Sequence, residues 1–327
     1  PLPEDDPKRI FSVTQRANKF LEEQASAGRP FFMQVSHYAV HVDNSAREET
    51  IEKVRNRPGG KKVIPKDYEN PPPNSSILTY AAMIEDLDTG LGALLDMAEE
   101  LGIKENTYVI FTSDNGGAFR KNTQLSGGQG QMWDRGIRVP TDVVGPGVKQ
   151  GAICNVPIAG WDFYATINDL IGGEPLSPEY DGGSLREVFK NGNDGIVRRG
   201  TRELVFHFPW YGGTLPMSSI RDGDHKLVLN LHTNEVQLYN LADDIGETTD
   251  LTSEMPEKAE QLRRRLFAYL EEVDAEDIDD MFDARIRELE RYIQREKQRP
   301  TPNESALRRH NDALEGVRRA RTATEWR

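Results

Sequence analysis

Residues 108–117 constrain the fold more than any other stretch. Tyr108-Val109-Ile110-Phe111-Thr112 is strand-forming without polar alternation, as a central strand covered on both faces requires. It stops at Ser113-Asp114-Asn115-Gly116-Gly117. Upstream, Ile84, Leu87, Leu91, Leu94, Leu95 and Ala98 recur at helical spacing, and Gly102 sits where a C-cap glycine belongs. Helix, short link, buried strand and glycine-rich loop is α/β architecture. In such sheets, sites form beyond the carboxyl ends of strands.

The chain before this unit reads the same way. Ile10, Val13, Ala17, Phe20 and Leu21 predict a helix over residues 8–26. After Gly28-Arg29-Pro30, the run Phe31-Phe32-Met33-Gln34-Val35-Ser36 predicts a buried strand, ending at His37-Tyr38-Ala39-Val40-His41. Residues 43–76 are polar and hold Pro58-Gly59-Gly60 and Pro71-Pro72-Pro73, which predicts a long surface excursion. From about residue 200 the pattern changes. Short strands are expected at Leu204–Phe208, Ser219–Arg221, Lys226–Leu231 and Val236–Leu241, with turns such as Asp222-Gly223-Asp224, as an antiparallel meander. A helix from Pro256 to Glu272, with Ala259, Leu262, Leu266, Leu270 and Val273 on one face, should pack across that sheet.

The tail is charged. Residues 271–283 hold eight acids and no base, whereas 284–327 hold 12 Lys/Arg against seven acids. Phe282, Ile286, Leu289 and Ile293 mark one helix there, and Thr301-Pro302-Asn303-Glu304 has the form of a capping box opening another. A helical hairpin with solvated charged faces outweighs a basic arm for a polyanion, because mixed-sign helices are usually solvated surface.

Composition excludes several classes. The net charge of −13 argues against a general nucleic-acid binder. Cys154, the one cysteine, excludes an intrachain disulfide and a cysteine-rich zinc site, and without a local base it reads as a buried spectator thiol. No apolar run approaches the roughly 20 residues of a membrane helix. The opening Pro-Leu-Pro-Glu-Asp-Asp-Pro lacks an initiator methionine, as in a processed product or a fragment.

Three stretches could carry chemistry. Asp114 and Asn115 are adjacent hard oxygen donors suited to Ca²⁺ or Mg²⁺, although Asp-Asn-Gly-Gly is also an ordinary turn. His37 and His41 lie four apart, and either could donate to an anionic oxygen or be a loop histidine with local partners. Gly127 to Pro140 is a glycine-rich loop with Arg135 and Arg138, able to approach an anion closely. It is neither a P-loop nor a dinucleotide fingerprint.

Taken in order, these segments resemble the formylglycine-dependent (type I) sulfatases of the alkaline-phosphatase superfamily. Pro30-Phe31-Phe32 through His41 resembles the segment ending in a His-x-Pro motif. Met83 to Gly90, then Asn106 to Gly117, is similar to that family's longest signature. The Gly127–Pro140 loop resembles its Gly-Lys-Gly and Gly-Ile-Arg-Val-Pro stretch, and Leu238 to Leu251 its last strand and turn. The match spans about residues 30–272 and covers the C-terminal part of such an enzyme.

The resemblance implies an α/β fold: a partial alkaline-phosphatase-like sandwich with a smaller C-terminal antiparallel sheet plus helix. It implies three regions: 1–200 as the C-terminal portion of the α/β catalytic domain, 201–280 as the small sheet subdomain, and 281–327 as a charged helical tail. It also implies Ca²⁺, with Mg²⁺ as an alternative, bound through Asp114 and Asn115, and His41 near the sulfate. Gln129 stands where the family has lysine, and Asp43 where it has the motif proline; both make the site less cationic. Arg135, where glycine is usual, is a candidate substitute cation. His207, followed by Phe208, Trp210 and Tyr211, is a candidate sugar contact.

No Cys/Ser-x-Pro-x-Arg motif occurs in the 327 residues, and no aspartate pair follows a suitable buried strand. The expected partners are therefore a sulfate ester, more readily of a carbohydrate, and an N-terminal half carrying the formylglycine. Periplasmic or secreted location follows from the resemblance alone. Two other functions fit the same residues: a non-catalytic remnant binding sulfated glycans or a partner, and a phosphoesterase of the same superfamily.

Overall fold

The computed structural model describes residues 5–57, 77–117, 124–177, 179–211, 214–276 and 278–323. The prolines and glycines expected to shape a loop over 58–76 lie outside them. The chain divides into two compact units, one of residues 1–109 and 144–146, the other of 110–143 and 147–327.

The first unit is built on three helices: α1 (Ile10–Ser26), α2 (Glu48–Asn56) and α3 (Ile77–Glu100). The expected excursion therefore begins with a helix, its first turn carrying Glu48 and Glu49 where acids offset the dipole. Of the stripe expected to face inward on α3, only Ala98 is buried. Ala82, Met83, Asp86 and Gly90 are buried, while Ile84 and Leu95 are exposed. Two contacts select that face. Gly90 lies so close to α1 that a Cβ would come within 2.8 Å of Thr14 Oγ1. Asp86, fully buried, accepts from the Arg47 amide at 2.9 Å, Arg47 Nε at 3.0 Å and Thr50 Oγ1 at 2.7 Å, clamping the start of α2.

Residues 31–36 are also corrected. They pair with no strand among the described residues; exposure alternates along them, and Phe32 is 68% exposed. Their apolar residues suit a strand, but a strand exists only where a ladder partner satisfies its backbone.

Strand β1 (Val109–Thr112) pairs with β2 (Thr141–Val144), all but Val109 and Val144 belonging to the second unit. Helices α4 (Asp134–Ile137), α5 (Asp162–Leu170) and α6 (Arg186–Asn191) follow the chain. Asp162, fully buried, accepts from Arg199 at 2.8 and 2.6 Å and from the amides of Ala159 and Gly183. Cys154 is exposed, not buried, because residues 149–155 run without helix or strand.

The meander forms as expected: β3 (Leu204–Phe208), β4 (Met217–Asp222), β5 (His225–Asn230) and β6 (Val236–Asn240), antiparallel in chain order. Its β4–β5 turn is Gly223-Asp224, with Gly223 at φ +62°. One face packs α7 (Pro256–Glu272): Leu227, Leu229 and Leu238 meet Leu262 and Leu266. Each such leucine, fully buried, contributes about 1.5–3 kcal/mol. Val273, expected on that face, sits past the helix end and is exposed.

Helices α8 (Ile278–Lys297) and α9 (Glu304–Ala323) extend the same core through Phe282, Leu289, Ile293 and Val317. The N-cap of α9 is Asn303, whose Oδ1 accepts from the Ala306 amide at 3.0 Å, and not the expected Thr301. Glu296 draws the connection tight by accepting from the Asn303 amide at 2.9 Å.

Candidate functional site

Asp114 and Asn115 form a turn just past the carboxyl end of β1. Asp114 Oδ1 accepts from the Asn115 amide at 3.0 Å and from Ser113 Oγ at 3.3 Å, which orients the carboxylate from within the turn. Asp114 is exposed and Asn115 half-buried. Among the described residues, no hydrogen bond reaches Asp114 Oδ2 or Asn115 Oδ1. Two hard oxygens at one turn suit part of the shell of Ca²⁺ or Mg²⁺, which takes six or more. The described residues hold no group of three or more His, Cys, Asp and Glu that could complete such a shell.

The next residue fixes what lies beside this turn. The Gly116 amide donates to Gly136 O at 2.9 Å, and a Cβ at Gly116 would sit 1.8 Å from Arg135 O. A Cβ at Gly136 would lie 2.0 Å from Gln131 O and 2.4 Å from Gly128 O. Only glycine permits this backbone crossing, so the Asp114–Asn115 turn and the glycine-rich loop are held edge to edge. Gln129 is exposed at the tip of that loop. Thr214 Oγ1 donates to Gly130 O at 2.7 Å and anchors the tip from the other side.

The loop is fastened from beneath by a group that sequence reasoning missed. Lys226 on β5, 1% exposed, donates to Asp134 Oδ1 at 2.7 Å and Glu247 Oε1 at 2.8 Å. Glu247 Oε2 accepts from the Asp134 amide at 2.7 Å. Burial pushes the Glu247 carboxyl above its usual range, and Lys226 opposes that shift. The clue was a single lysine inside Lys226-Leu227-Val228-Leu229, on a strand expected to be covered.

The other expected residues occupy different settings. Arg135 is buried, with its amide donating to Ser126 O, so its side chain is not exposed alongside Gln129. His207 is on the sheet face opposite the loop. Phe206 and Phe208 pack with Met132 and Trp133, whereas Val205 joins the core under α7. His207 Nδ1 meets Ser218 Oγ at 2.7 Å, and burial lowers its pKa, with the Glu276 backbone acting the other way. His41 belongs to the first unit and is exposed. Its Nδ1 donates to Val42 O at 2.9 Å, which leaves Nε2 as the outward nitrogen.

The Sulfatase family model matches residues 11–173. A sulfatase of Formosa agariphila is 33% identical over 259 residues, covering 72% of this chain and 44% of the relative. The ulvan-active sulfatase of the same organism is 27% identical over 290 residues, covering 86% of this chain and 55% of the relative. The chain thus spans about half the length of these curated relatives. Among solved structures, Ps i-CgsB in complex with k-i-k-neocarrahexaose superposes with a TM-score of 0.65 at 23% identity, over 80% of this chain and 54% of that one. The chain belongs to the sulfatase family and has its alkaline-phosphatase-like α/β fold.

Proposed function

We propose that this chain supplies a cation-ligand pair and the anion-facing glycine-rich loop of a sulfate-ester hydrolase acting on sulfated carbohydrate. The backbone crossing of Gly116 with Gly136 carries the reading, because it sets two hard oxygen donors against a glycine-rich loop with Gln129 exposed at its tip. The carbohydrate follows from the relatives, one named for ulvan and one solved with a neocarrahexaose. These relatives favour sulfate esters over the phosphoesterase and remnant readings.

Asp114 and Asn115 would hold a divalent cation through their side-chain oxygens. When bound, that cation supplies charge neutralisation at a sulfate oxygen. Gln129 offers neutral amide donors at the loop tip, a weaker grip on an anion than lysine, and Arg135 is the nearest cation in the loop's sequence. His41 Nε2 is the group we assign to the leaving alcohol. We assign the nucleophile to no residue here, since no Cys/Ser-x-Pro-x-Arg motif is present. An N-terminal half with the formylglycine is the partner this reading requires, and reaction in the periplasm or outside the cell suits its polymeric substrate. No described helix is long and apolar enough to cross a membrane.

The test is a calcium titration followed by thermal unfolding, with p-nitrophenyl sulfate turnover measured in parallel. Calcium should raise the unfolding midpoint of the chain and not of Asp114→Asn, with no turnover by either. A ligand at about 100 times its Kd stabilises by roughly 2.7 kcal/mol. Equal shifts, or none, would remove Asp114 from the cation site; turnover by the chain would place the nucleophile within these residues.

A further inference from the structure

On the exposed side of α8, Arg287, Arg291 and Arg295 follow one another at four-residue intervals, about 6 Å apart along the axis. With Glu290, Gln294 and Gln298 they line a shallow groove. Most other arginines of the hairpin are engaged. Arg285 pairs with Glu288 at 2.5 Å, Arg299 with Glu296 at 3.2 Å, and Arg321 with Asp283 at 2.5 Å. Glu290, the acid in the groove, is taken by Arg318 of α9 at 2.6 Å. Among the described residues, no carboxylate lies within ion-pair distance of Arg287, Arg291 or Arg295. The one contact within the row is Arg291 Nε donating to Arg287 O at 3.3 Å.

We propose that this arginine row is a docking strip for a sulfated polysaccharide chain, separate from the Asp114–Asn115 turn. The sulfated-carbohydrate occupant rests on the function proposed above. Three features favour it. Guanidinium groups present paired N–H donors that match the oxygens of a sulfate. A straight row on a rigid helix suits a ligand that repeats its charge, such as a polymer. Charge complementarity then favours the location: the chain carries −13 overall, yet residues 278–323 hold 11 Lys/Arg against nine acids. A polyanion is repelled by the acidic body and concentrated on this hairpin. Held there, a polymer stays near the protein between encounters with the reacting site.

The test is calorimetric binding of a carrageenan hexasaccharide across a rising salt series, comparing the chain with the triple variant Arg287→Gln, Arg291→Gln, Arg295→Gln. The variant should bind about tenfold or more weakly at low salt, and the slope of log K against log salt should fall by about 2. The matching Arg→Lys triple should keep most of the slope, Arg299→Gln should bind as the parent does, and the desulfated hexasaccharide should not bind. Unchanged binding by the Gln triple, no binding by the parent chain, or equally tight binding of short duplex DNA would each overturn the proposal. The calcium shift at Asp114, read on the same samples, reports the cation site independently, so either reading can fail while the other stands.

Discussion

Asp114 and Asp134 sit on two segments locked together by one backbone crossing, yet they live in opposite surroundings. Asp134 is 4% exposed, and its carboxylate takes Lys226 at 2.7 Å and Arg138 at 3.3 Å. Asp114 is exposed, and among the described residues its own turn alone orients it. The difference separates two uses of one side chain. A carboxylate satisfied by the protein holds structure; one left with an open oxygen can answer to something the protein does not contain. The same contrast divides the hairpin, where Arg318 and Arg321 are consumed internally and Arg287, Arg291 and Arg295 are not.

Removing the cation beneath the loop should have the largest effect. Lys226→Met leaves Asp134 and Glu247 facing each other in a buried site, and should cost about 3–5 kcal/mol in urea unfolding. A loss below 1 kcal/mol would mean the group is not buried as described. Next comes the crossing itself. Gly116→Ala pushes a Cβ into Arg135 O and should cost about 1–3 kcal/mol. It should also weaken the calcium response, although it alters no ligand; an intact response would uncouple the turn from the loop.

The smallest effect concerns pH. Burial holds the His207 pKa below its unfolded value, so the unfolded chain takes up a proton first as pH falls. Its share of stability is complete above the ordinary histidine range and is lost as pH drops from about 6.5 toward the lowered value. His37 and His232 are shifted in the same direction by burial. His207→Gln should therefore make the fall in urea midpoint between about pH 7 and pH 5 shallower. An unchanged slope would mean that His207 does not titrate differently in the two states.

The meander was legible because its signals are local: strand-forming runs, tight turns such as Asp222-Gly223-Asp224, and a helix with one clear apolar face. The Asp114–Asn115 turn was legible for the same reason. Long-range chemistry was not. Residues 31–36 have the residues of a strand, but pairing is a property of two segments. On α3, apolar residues occupy more than one side, so periodicity could not tell the Ala82–Gly90 face from the Ile84–Leu95 face; Thr14 and Arg47 decide it. The Lys226 group joins residues 92 and 21 positions away from the lysine, beyond the reach of any spacing rule. His207 falls to the simplest error, since a strand has two faces and composition does not say which one meets the loop.

The Asp134 amide is satisfied by a residue 113 positions later. At synthesis rates of about 5–20 residues per second, the loop leaves the ribosome on the order of ten seconds before Glu247 exists to anchor it. During that interval the crossing of Gly116 with Gly136 can form, but the loop beside it lacks the Glu247 anchor beneath. The support of this loop is therefore completed well after the loop itself is made.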